Sequence, residues 1–270
     1  MITKGLGISA KGLISLIDRQ DVIANNLANV NTVGFKKSNL VFQNVYNAAL
    51  REKTPPNEFK FSDERYIGEL AMGPKTQKIL LDFEQGNMEH TGNPFDVAIQ
   101  GDGFFKVQSI DGNVAYTRNG SFTVNNEKFL VTKENEYVLD VNNKPIQLDM
   151  KKLNLSSAND LIIMQDGTIQ TNSIDNQNIY QQIGVFDFKI KSEMRSVGDS
   201  KFVPKDITTN PEVPAEKFVI EQGTLEGSNS NTVHEMINMI NVSRNYETLS
   251  KFVKNDGDLL SRAINLGRIS

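Results

Sequence analysis

Few side chains in this sequence have the types and spacing that metal or cofactor chemistry requires. The only two histidines are His90, in a polar turn, and His234, near a predicted helix start, and neither has other ligand types clustered around it. Cysteine is absent, which excludes disulfides and thiolate metal sites. Because a metal site needs several ligands close together, the sequence predicts no metal site and no cofactor.

Two glycine-containing runs could be mistaken for binding or modification motifs. Residues 101–103 lack the further glycine spacing and the following helix of a phosphate-binding loop, so they predict a turn. Residues 119–121 match a glycosylation acceptor, but a hairpin explains them more simply. There is no nucleophile elbow, no histidine beside a nucleophile motif and no recognisable carboxylate dyad. We predict that the chain is not an enzyme; its many carboxylates keep an enzyme in the central region as the weakest alternative.

Composition narrows the class of protein further. The net charge is −4, from 29 basic and 33 acidic residues, which gives no support for nucleic-acid binding. No apolar run approaches the roughly 20 residues that a membrane-spanning helix needs. Residues 1–20 do not resemble a cleavable signal peptide, because Lys11, Ser15 and Asp18 interrupt any apolar segment. A hydrophobic content of 38% fits an elongated or assembling protein, or a polar β domain.

Two long helices are predicted, one at each end of the chain. The first covers residues 3–30, and its heptad positions are Leu6, Ser9, Leu13, Leu16, Gln20, Ile23, Leu27 and Val30. The second covers residues 231–265, with heptad positions at Met239, Val242, Tyr246, Leu249, Val253, Asp256, Leu260 and Ala263, widened by Met236, Ile237 and Ile240. Both patterns are typical of a coiled-coil seam, and such helices gain their stability by packing. The alternative is an ordinary surface helix on the core of its own domain.

The centre of the chain changes from an aperiodic segment to a strand pattern. Residues 36–75 predict an extended arm, in which Phe42, Val45, Tyr46 and Leu50 could extend a short helix. From about residue 76, short apolar runs predict strands at residues 97–99, 104–107, 129–131, 137–141, 161–164, 168–170 and 183–190. Residues 114–124 predict a hairpin with a type I′ turn at Asn119-Gly120. Residues 191–222 predict a loop and an edge strand.

Together these elements predict an α+β multidomain protein. The N- and C-terminal helices, within residues 1–35 and 227–270, form a coiled-coil-like inner domain. An extended arm, residues 36–75, joins it to an all-β central domain, residues 76–226. Paired terminal helices leave apolar stripes that only neighbouring subunits can bury, and a repeated contact that does not close into a ring produces a helical filament.

Four longer runs carry a resemblance to a known family. Residues 24–36 are similar to the N-terminal signature of bacterial flagellar rod and hook proteins. Residues 91–105 and 116–122 resemble the start of that family's β domain and its next hairpin. Residues 223–247 contain runs similar to the C-terminal signature. The chain is thereby identified as a member of the flagellar rod and hook family.

The resemblance implies a structural subunit of the flagellar basal-body rod, the axial drive shaft needed for motility. Its terminal helices are expected to form the inner tube around the export channel, and its β domain the outer layer. The subunit is expected to leave the cytoplasm through the flagellar type III export apparatus without a cleaved signal peptide and to assemble in the periplasm. The expected partners are proximal and distal rod subunits, with hook and ring proteins as further contacts, and neither nucleic acid nor membrane insertion.

Two questions stay open at this point. Residues 91–105 and 263–270 are more similar to proximal-rod subunits, which we favour, whereas the overall length and residues 25–36 also suit the distal-rod subunit. A hook-type subunit is a further alternative, although it would normally be longer, with a further domain. An extracellular β-domain binding module on a coiled-coil stalk is a further alternative, but it needs an exposed aromatic platform, and tryptophan is absent. The favoured interpretation predicts a subunit interface that contains Leu6, Leu13, Leu16, Ile23, Asn25, Asn26, Leu27, Asn29, Val30, Gly34, Phe35, Met236, Met239, Val242, Tyr246, Leu249, Val253 and Leu260.

Overall fold

The computed structural model describes residues 2–46, 71–148, 161–171 and 181–267 of the chain. The chain divides into two compact units. The helical unit comprises residues 1–25, 39–79 and 233–270, and the β unit comprises residues 26–38 and 80–232. A helix at each end and a β-rich centre confirm the predicted α+β class.

Two long helices and a two-stranded sheet account for the described part of the helical unit. Helix α1 spans Ile2–Ala28 and helix α2 spans Thr232–Gly267. Strand β1 (Ser38–Tyr46) pairs with strand β2 (Ala71–Leu81). Both helices start and end within three residues of the positions that their heptad patterns predict.

The heptad positions of both helices are less exposed than the opposite faces. Ile23 and Val242 are buried. A Cβ atom added to Gly12 would lie 3.0 Å from Leu249 Cδ2, so α1 and α2 are in close contact at this level. The half-buried heptad positions are Ser9, Leu13, Leu16, Gln20, Leu27, Val30, Met239, Tyr246, Leu249, Val253 and Asp256.

The short helix predicted within the arm is wrong where the structure describes it. Phe42, Val45 and Tyr46 belong to β1, and the predicted continuation to Leu50 lies outside the described residues. A spacing of three or four residues over so short a run is a weak signal. Strand β2 offers hydrogen-bonding partners to the backbone groups of β1 that face it, whereas an isolated helical turn is costly to nucleate.

Sixteen further strands lie in the described residues of the β unit, and most of them are short. They are β3 Met88–His90, β4 Val97–Gly101, β5 Phe104–Gln108, β6 Val114–Thr117, β7 Thr123–Val124, β8 Leu130–Val131, β9 Tyr137–Val138, β10 Leu161–Ile163, β11 Thr168–Thr171, β12 Gln181–Gln182, β13 Val185–Phe188, β14 Met194–Gly198, β15 Lys201–Pro204, β16 Glu212–Pro214, β17 Phe218–Gln222 and β18 Thr224–Glu226.

One large antiparallel sheet organises the β unit. Its strand order is β14-β15-β6-β5-β9-β8-β7, and β13 joins through β5 and carries β16 on its other side. Strands β10, β11 and β12 form a second sheet, and the pairs β17-β4 and β18-β3 form two small ones. Because β17 and β18 follow each other directly and pair with β4 and β3, the last strands of the unit return to its first ones.

Two buried clusters lie within the β unit. The larger is mostly aliphatic and includes Val97, Ile99, Val107, Leu130 and Ile146. The smaller is mostly aromatic and consists of Phe104, Tyr116, Phe186, Phe188, Met194 and Phe202. Edge-to-face contacts join its rings, with the Tyr116 and Phe188 centroids 4.7 Å apart.

The hairpin predicted at Asn119-Gly120 is wrong. Strand β6 pairs with β5 and β15, whereas β7 pairs with β8, so the two strands around this dipeptide are not partners. Neither Asn119 nor Gly120 has the positive φ of a type I′ turn. Glycine is required for a different reason, because a Cβ on Gly120 would lie 1.6 Å from the carbonyl oxygen of Val97.

Residues 191–222 contain more regular structure than the predicted loop and edge strand. It contains a short 3-10 helix at Lys191–Glu193 and the strands β14, β15, β16 and β17. The turn that meets the I′ requirement lies here, at Asp199 and Ser200, whose φ angles are 49° and 54°. Three prolines and frequent charges hid these strands, since edge and short strands tolerate both.

Candidate functional site

A buried ion cluster lies where the segment that follows α1 meets the last strand of the β unit. We call Lys36, Arg118, Glu226 and Asn229 the latch. The backbone reaches it through Gly34, whose φ of 68° places it in the left-handed region. The Gly34 N–H donates to the carbonyl oxygen of Glu226 at 2.7 Å. A Cβ on Gly34 would lie 2.4 Å from the backbone nitrogen of Asn119, so only glycine fits.

Lys36 and Glu226 form an ion pair whose side chains are both 0% exposed. Lys36 Nζ lies 2.6 Å from Glu226 Oε1 and donates to the carbonyl oxygen of Glu84 at 2.6 Å. Burial lowers the pKa of Lys36, and the nearby Arg118 charge lowers it further, while Glu226 opposes both effects. A buried charge is tolerated only when it is paired and hydrogen-bonded, and this pair meets both conditions.

Arg118, the residue that follows strand β6, completes the charge cluster. Its Nη1 lies 3.2 Å from Glu226 Oε2, and its Nη2 donates to the carbonyl oxygen of Gly101 at 2.8 Å. The guanidinium stands 5.2 Å from the centroid of the Phe104 ring, within cation–π range. Glu226 Oε1 also accepts the Gly86 N–H at 2.9 Å. One carboxylate therefore pairs with two cations that come from different parts of the chain.

Two asparagine side chains replace backbone partners beside the ion cluster. Asn229 Oδ1 accepts the Lys37 N–H at 2.7 Å, and its Nδ2 donates to the carbonyl oxygens of Asp82 and Glu84 at 2.8 and 3.1 Å. Asn26, which is 2% exposed, exchanges two bonds with the backbone of Ser38, at 2.8 and 2.9 Å. These asparagines satisfy backbone groups that no strand pairs, as buried polar groups require.

A second group of polar contacts fixes the loop between β3 and β4. Asp96 is 6% exposed, and its carboxylate accepts bonds from Thr91 Oγ1 at 2.7 Å and from Asn93 Nδ2 at 3.0 Å. The Gly223 N–H donates to the Asp96 carbonyl at 2.7 Å. The run over residues 91–105 and the one that begins at residue 223 thus meet in space.

The predicted interface residues fall into three groups. Ile23, Asn26, Gly34 and Val242 are buried, and Met236 and Asn25 are exposed. The half-buried group contains Leu13, Leu16, Leu27, Asn29, Val30, Phe35, Met239, Tyr246, Leu249 and Val253. The side chains of Leu6 and Leu260 lie outside the described ones. A role of these residues between subunits stays a prediction.

An apolar stripe on the first turns of α2 lies apart from its seam, so the prediction that Met236, Ile237 and Ile240 widen the seam is wrong. We call Val233, Met236, Ile237 and Ile240 the outer stripe; each is at least 50% exposed. Their spacing of three and four residues places them on one face. On α1, Ile14 and Ile17 are also exposed, at 59% and 43%. Large aliphatic side chains grouped in this way are typical of an interaction surface.

Sequence reasoning included the latch residues in its quoted runs but assigned them no role. Lys36, Arg118 and Glu226 each belong to a different run, and no local pattern indicates that they meet. The one available signal is that three separate runs each carry a charged residue within two positions of a glycine. Among the described residues there is no cluster of three or more potential metal ligands. Neither described helix has the length and apolarity needed to span a membrane.

The fold defines a class: a chain with a long helix at each end and a β-rich unit between them in sequence. Family models match three stretches of the chain: "Flagella basal body rod protein" at residues 6–36, "Flagellar hook protein FlgE/F/G D1 domain" at residues 98–171 and "Flagellar basal body rod FlgEFG protein C-terminal" at residues 221–266.

Relatives align over almost their whole length. The chain is 32% identical to the flagellar basal-body rod protein FlgG of Buchnera aphidicola subsp. Baizongia pistaciae, over 95% of this chain and 97% of the relative. It is 33% identical to FlgG of Borreliella burgdorferi, over 98% and 99%. It is 32% identical to the rod protein FlgF of Caulobacter vibrioides, over 93% and 92%. The chain belongs to the flagellar basal-body rod protein family, whose members are structural subunits of the basal body.

Proposed function

We propose that the chain assembles with copies of itself and with other rod subunits into a hollow tube, through the terminal helices. The observation that carries the proposal is the outer stripe of α2, because the opposite face of that helix is already covered. Four exposed aliphatic side chains in one patch cost free energy in water, on the order of 1 kcal/mol or more each relative to burial. A neighbouring subunit that covers the stripe recovers this free energy.

The remaining parts of the proposal rest on the family resemblance. The two helices form a coiled-coil-like inner layer around the export channel, and the β unit forms the outer layer. The chain is exported by the flagellar type III apparatus and assembles in the periplasm, where its neighbours are rod subunits and, at the ends, hook or ring proteins. We place it in the proximal rod, supported by residues 91–105 and 263–270; the distal rod is the alternative.

The experiment introduces a charge into the outer stripe and leaves the fold intact. Ile240→Asp is expressed in a strain that lacks the native gene, and Asn241→Asp is the matched control, with the same new charge at an exposed neighbour on α2. We expect Ile240→Asp to abolish swimming and rod completion in isolated basal bodies, because a buried unpaired carboxylate costs several kcal/mol. The control should swim normally. Normal rods with Ile240→Asp would contradict the proposal.

A further inference from the structure

The latch holds two chain segments that lie far apart in sequence. Residues 34–38 follow α1, and residues 226–229 precede α2. Glu226 serves both: its carboxylate holds Lys36, and its carbonyl oxygen accepts the Gly34 N–H. Asn229 binds the Lys37 N–H through its side chain and approaches Phe35 through its backbone. A third segment, residues 82–87, is held by the same two residues.

We propose that the latch is an all-or-none coupling device, in which residues 34–38, 82–87 and 226–229 are released together or not at all, while the β core stays folded. The proposal concerns the β unit alone and is independent of how copies assemble. The segments leading to both terminal helices are thereby anchored by one event.

Charge balance disfavours a half-open latch. If residues 226–229 left alone, Lys36 and Arg118 would remain as two buried cations without an anion. If residues 34–38 left alone, Glu226 would lose the Lys36 Nζ at 2.6 Å and the Gly34 N–H at 2.7 Å together. Removal of one partner from a buried pair strongly destabilises the other, so the segments release cooperatively.

The latch touches the smaller cluster at Phe104, which lies beside Arg118 and packs edge to face with Phe83 of residues 82–87. The rest of the β core is held by its own strand pairs. Neither buried cluster contains Lys36, Glu226 or Asn229. Strands β5 and β6 hold each other through a four-residue register from Phe105–Thr117 to Gln108–Val114. Local opening that spares such strands is the ordinary behaviour of separate cooperative segments in a folded protein.

Hydrogen–deuterium exchange of the full-length chain tests the proposal, with Lys36→Met as the variant. The informative amides are Gly34, Lys37, Gly86, Gly227 and Asn229, each hydrogen-bonded across the latch. We expect their exchange to accelerate together, on the order of 100-fold. Amides of β5 and β6 should keep their native protection. Faster exchange of residues 34–38 alone, or equal acceleration throughout the core, would overturn the proposal.

Two further variants complete the design. Lys106→Met removes another buried lysine of the β unit, which pairs with Glu212 at 2.6 Å outside the latch, and it should leave the five amides unchanged. Asn229→Ala removes only neutral hydrogen bonds and keeps every charge, so it reports even if Lys36→Met fails to fold. We expect a smaller acceleration, about tenfold, over the same set of amides. Acceleration confined to Lys37 in Asn229→Ala would overturn the coupling.

Discussion

Gly34 satisfies two constraints at once, a left-handed φ of 68° and a backbone that passes 2.4 Å from where its Cβ would stand. Gly92 has a similar φ of 73° but no atom within 4 Å of a Cβ, so it isolates the first constraint. We expect Gly92→Ala to cost about 1 kcal/mol of unfolding free energy and Gly34→Ala more than about 3 kcal/mol. Urea denaturation of both variants measures the difference. Equal losses would mean that Asn119 moves aside freely.

A buried tyrosine gives the β unit a dependence on alkaline pH. Tyr116 donates its hydroxyl to Glu212, and burial, followed by this bond and the Glu212 charge, raises the pKa of Tyr116. Because the pKa of Tyr116 is raised in the folded state, the neutral tyrosine stabilises the fold. This contribution is complete below the unfolded pKa of 10.0 and is lost as pH rises above it. At pH 11 the ionisation of Tyr116 should lower the unfolding free energy of the native chain by about 1.4 kcal/mol.

Tyr116→Phe measures that effect. At pH 7 the variant should be less stable by roughly 1–3 kcal/mol, because Glu212 loses a buried donor. The difference in unfolding free energy between the native chain and the variant should become smaller between pH 10 and pH 11, since phenylalanine does not ionise. Denaturant unfolding at the two pH values gives the comparison. A gap that stays constant would show that Tyr116 ionises equally in both states.

At the same scale, the latch marks the limit of prediction from sequence. Lys36 and Glu226 are 190 positions apart, and Arg118 and Glu226 are 108 apart. Taken singly, each is a charged residue beside a glycine or a polar neighbour, which is the composition of a solvated loop. Their burial depends on tertiary contacts that no local pattern records. The asparagines near the end of α1 show the same limit: asparagine at a helix end is usually solvated, whereas Asn26 is buried.

Among the elements, periodicity over a long run was a reliable guide and a short motif was not. The heptads of α1 and α2 predicted both helices, and apolar alternation predicted most strands from β4 to β13. The hairpin predicted at Asn119-Gly120 was wrong because the same dipeptide suits both a type I′ turn and a close backbone approach. The strands within residues 191–222 were missed because they are short, carry charges and prolines, and are stabilised by neighbours distant in sequence.

The genuine tight turn of the large sheet can be improved. Asp199 and Ser200 both have positive φ, and the Ser200 hydroxyl is buried without a hydrogen-bond partner. Replacement by Asn and Gly supplies the residues that a type I′ turn prefers. We expect Asp199→Asn/Ser200→Gly to raise the unfolding free energy by about 1 kcal/mol, measured by thermal and urea unfolding. A loss of stability would indicate that the Asp199 contact with Lys201, at 3.6 Å, matters more than backbone strain.

For the molecule as a whole, the boundary between the units predicts where the chain can be shortened. A chain that begins at residue 26 keeps every described segment of the β unit, whereas one that begins at residue 39 loses Gly34, Lys36 and Lys37. We expect the first to unfold cooperatively at the temperature of the β transition in the full chain. The second should be less stable by about 3–5 kcal/mol, because Glu226 loses its ion pair with Lys36 and the hydrogen bond from the Gly34 N–H. Calorimetry distinguishes the two, and equal transitions would contradict the assignment of residues 26–38 to the β unit.

The contact between Gly86 and Gly227 has a consequence for how such a molecule can diversify. A Cβ on Gly86 would stand 2.2 Å from the carbonyl oxygen of Gly227, and the Gly227 N–H donates to Asn87 at 2.8 Å. Everything between these glycines is therefore an insert whose two ends adjoin. Domains with adjoining ends can be enlarged, trimmed or exchanged without displacing the flanking chain. A domain grafted at this junction would change the size of the subunit and preserve the distance between the two chain segments that lead into the junction.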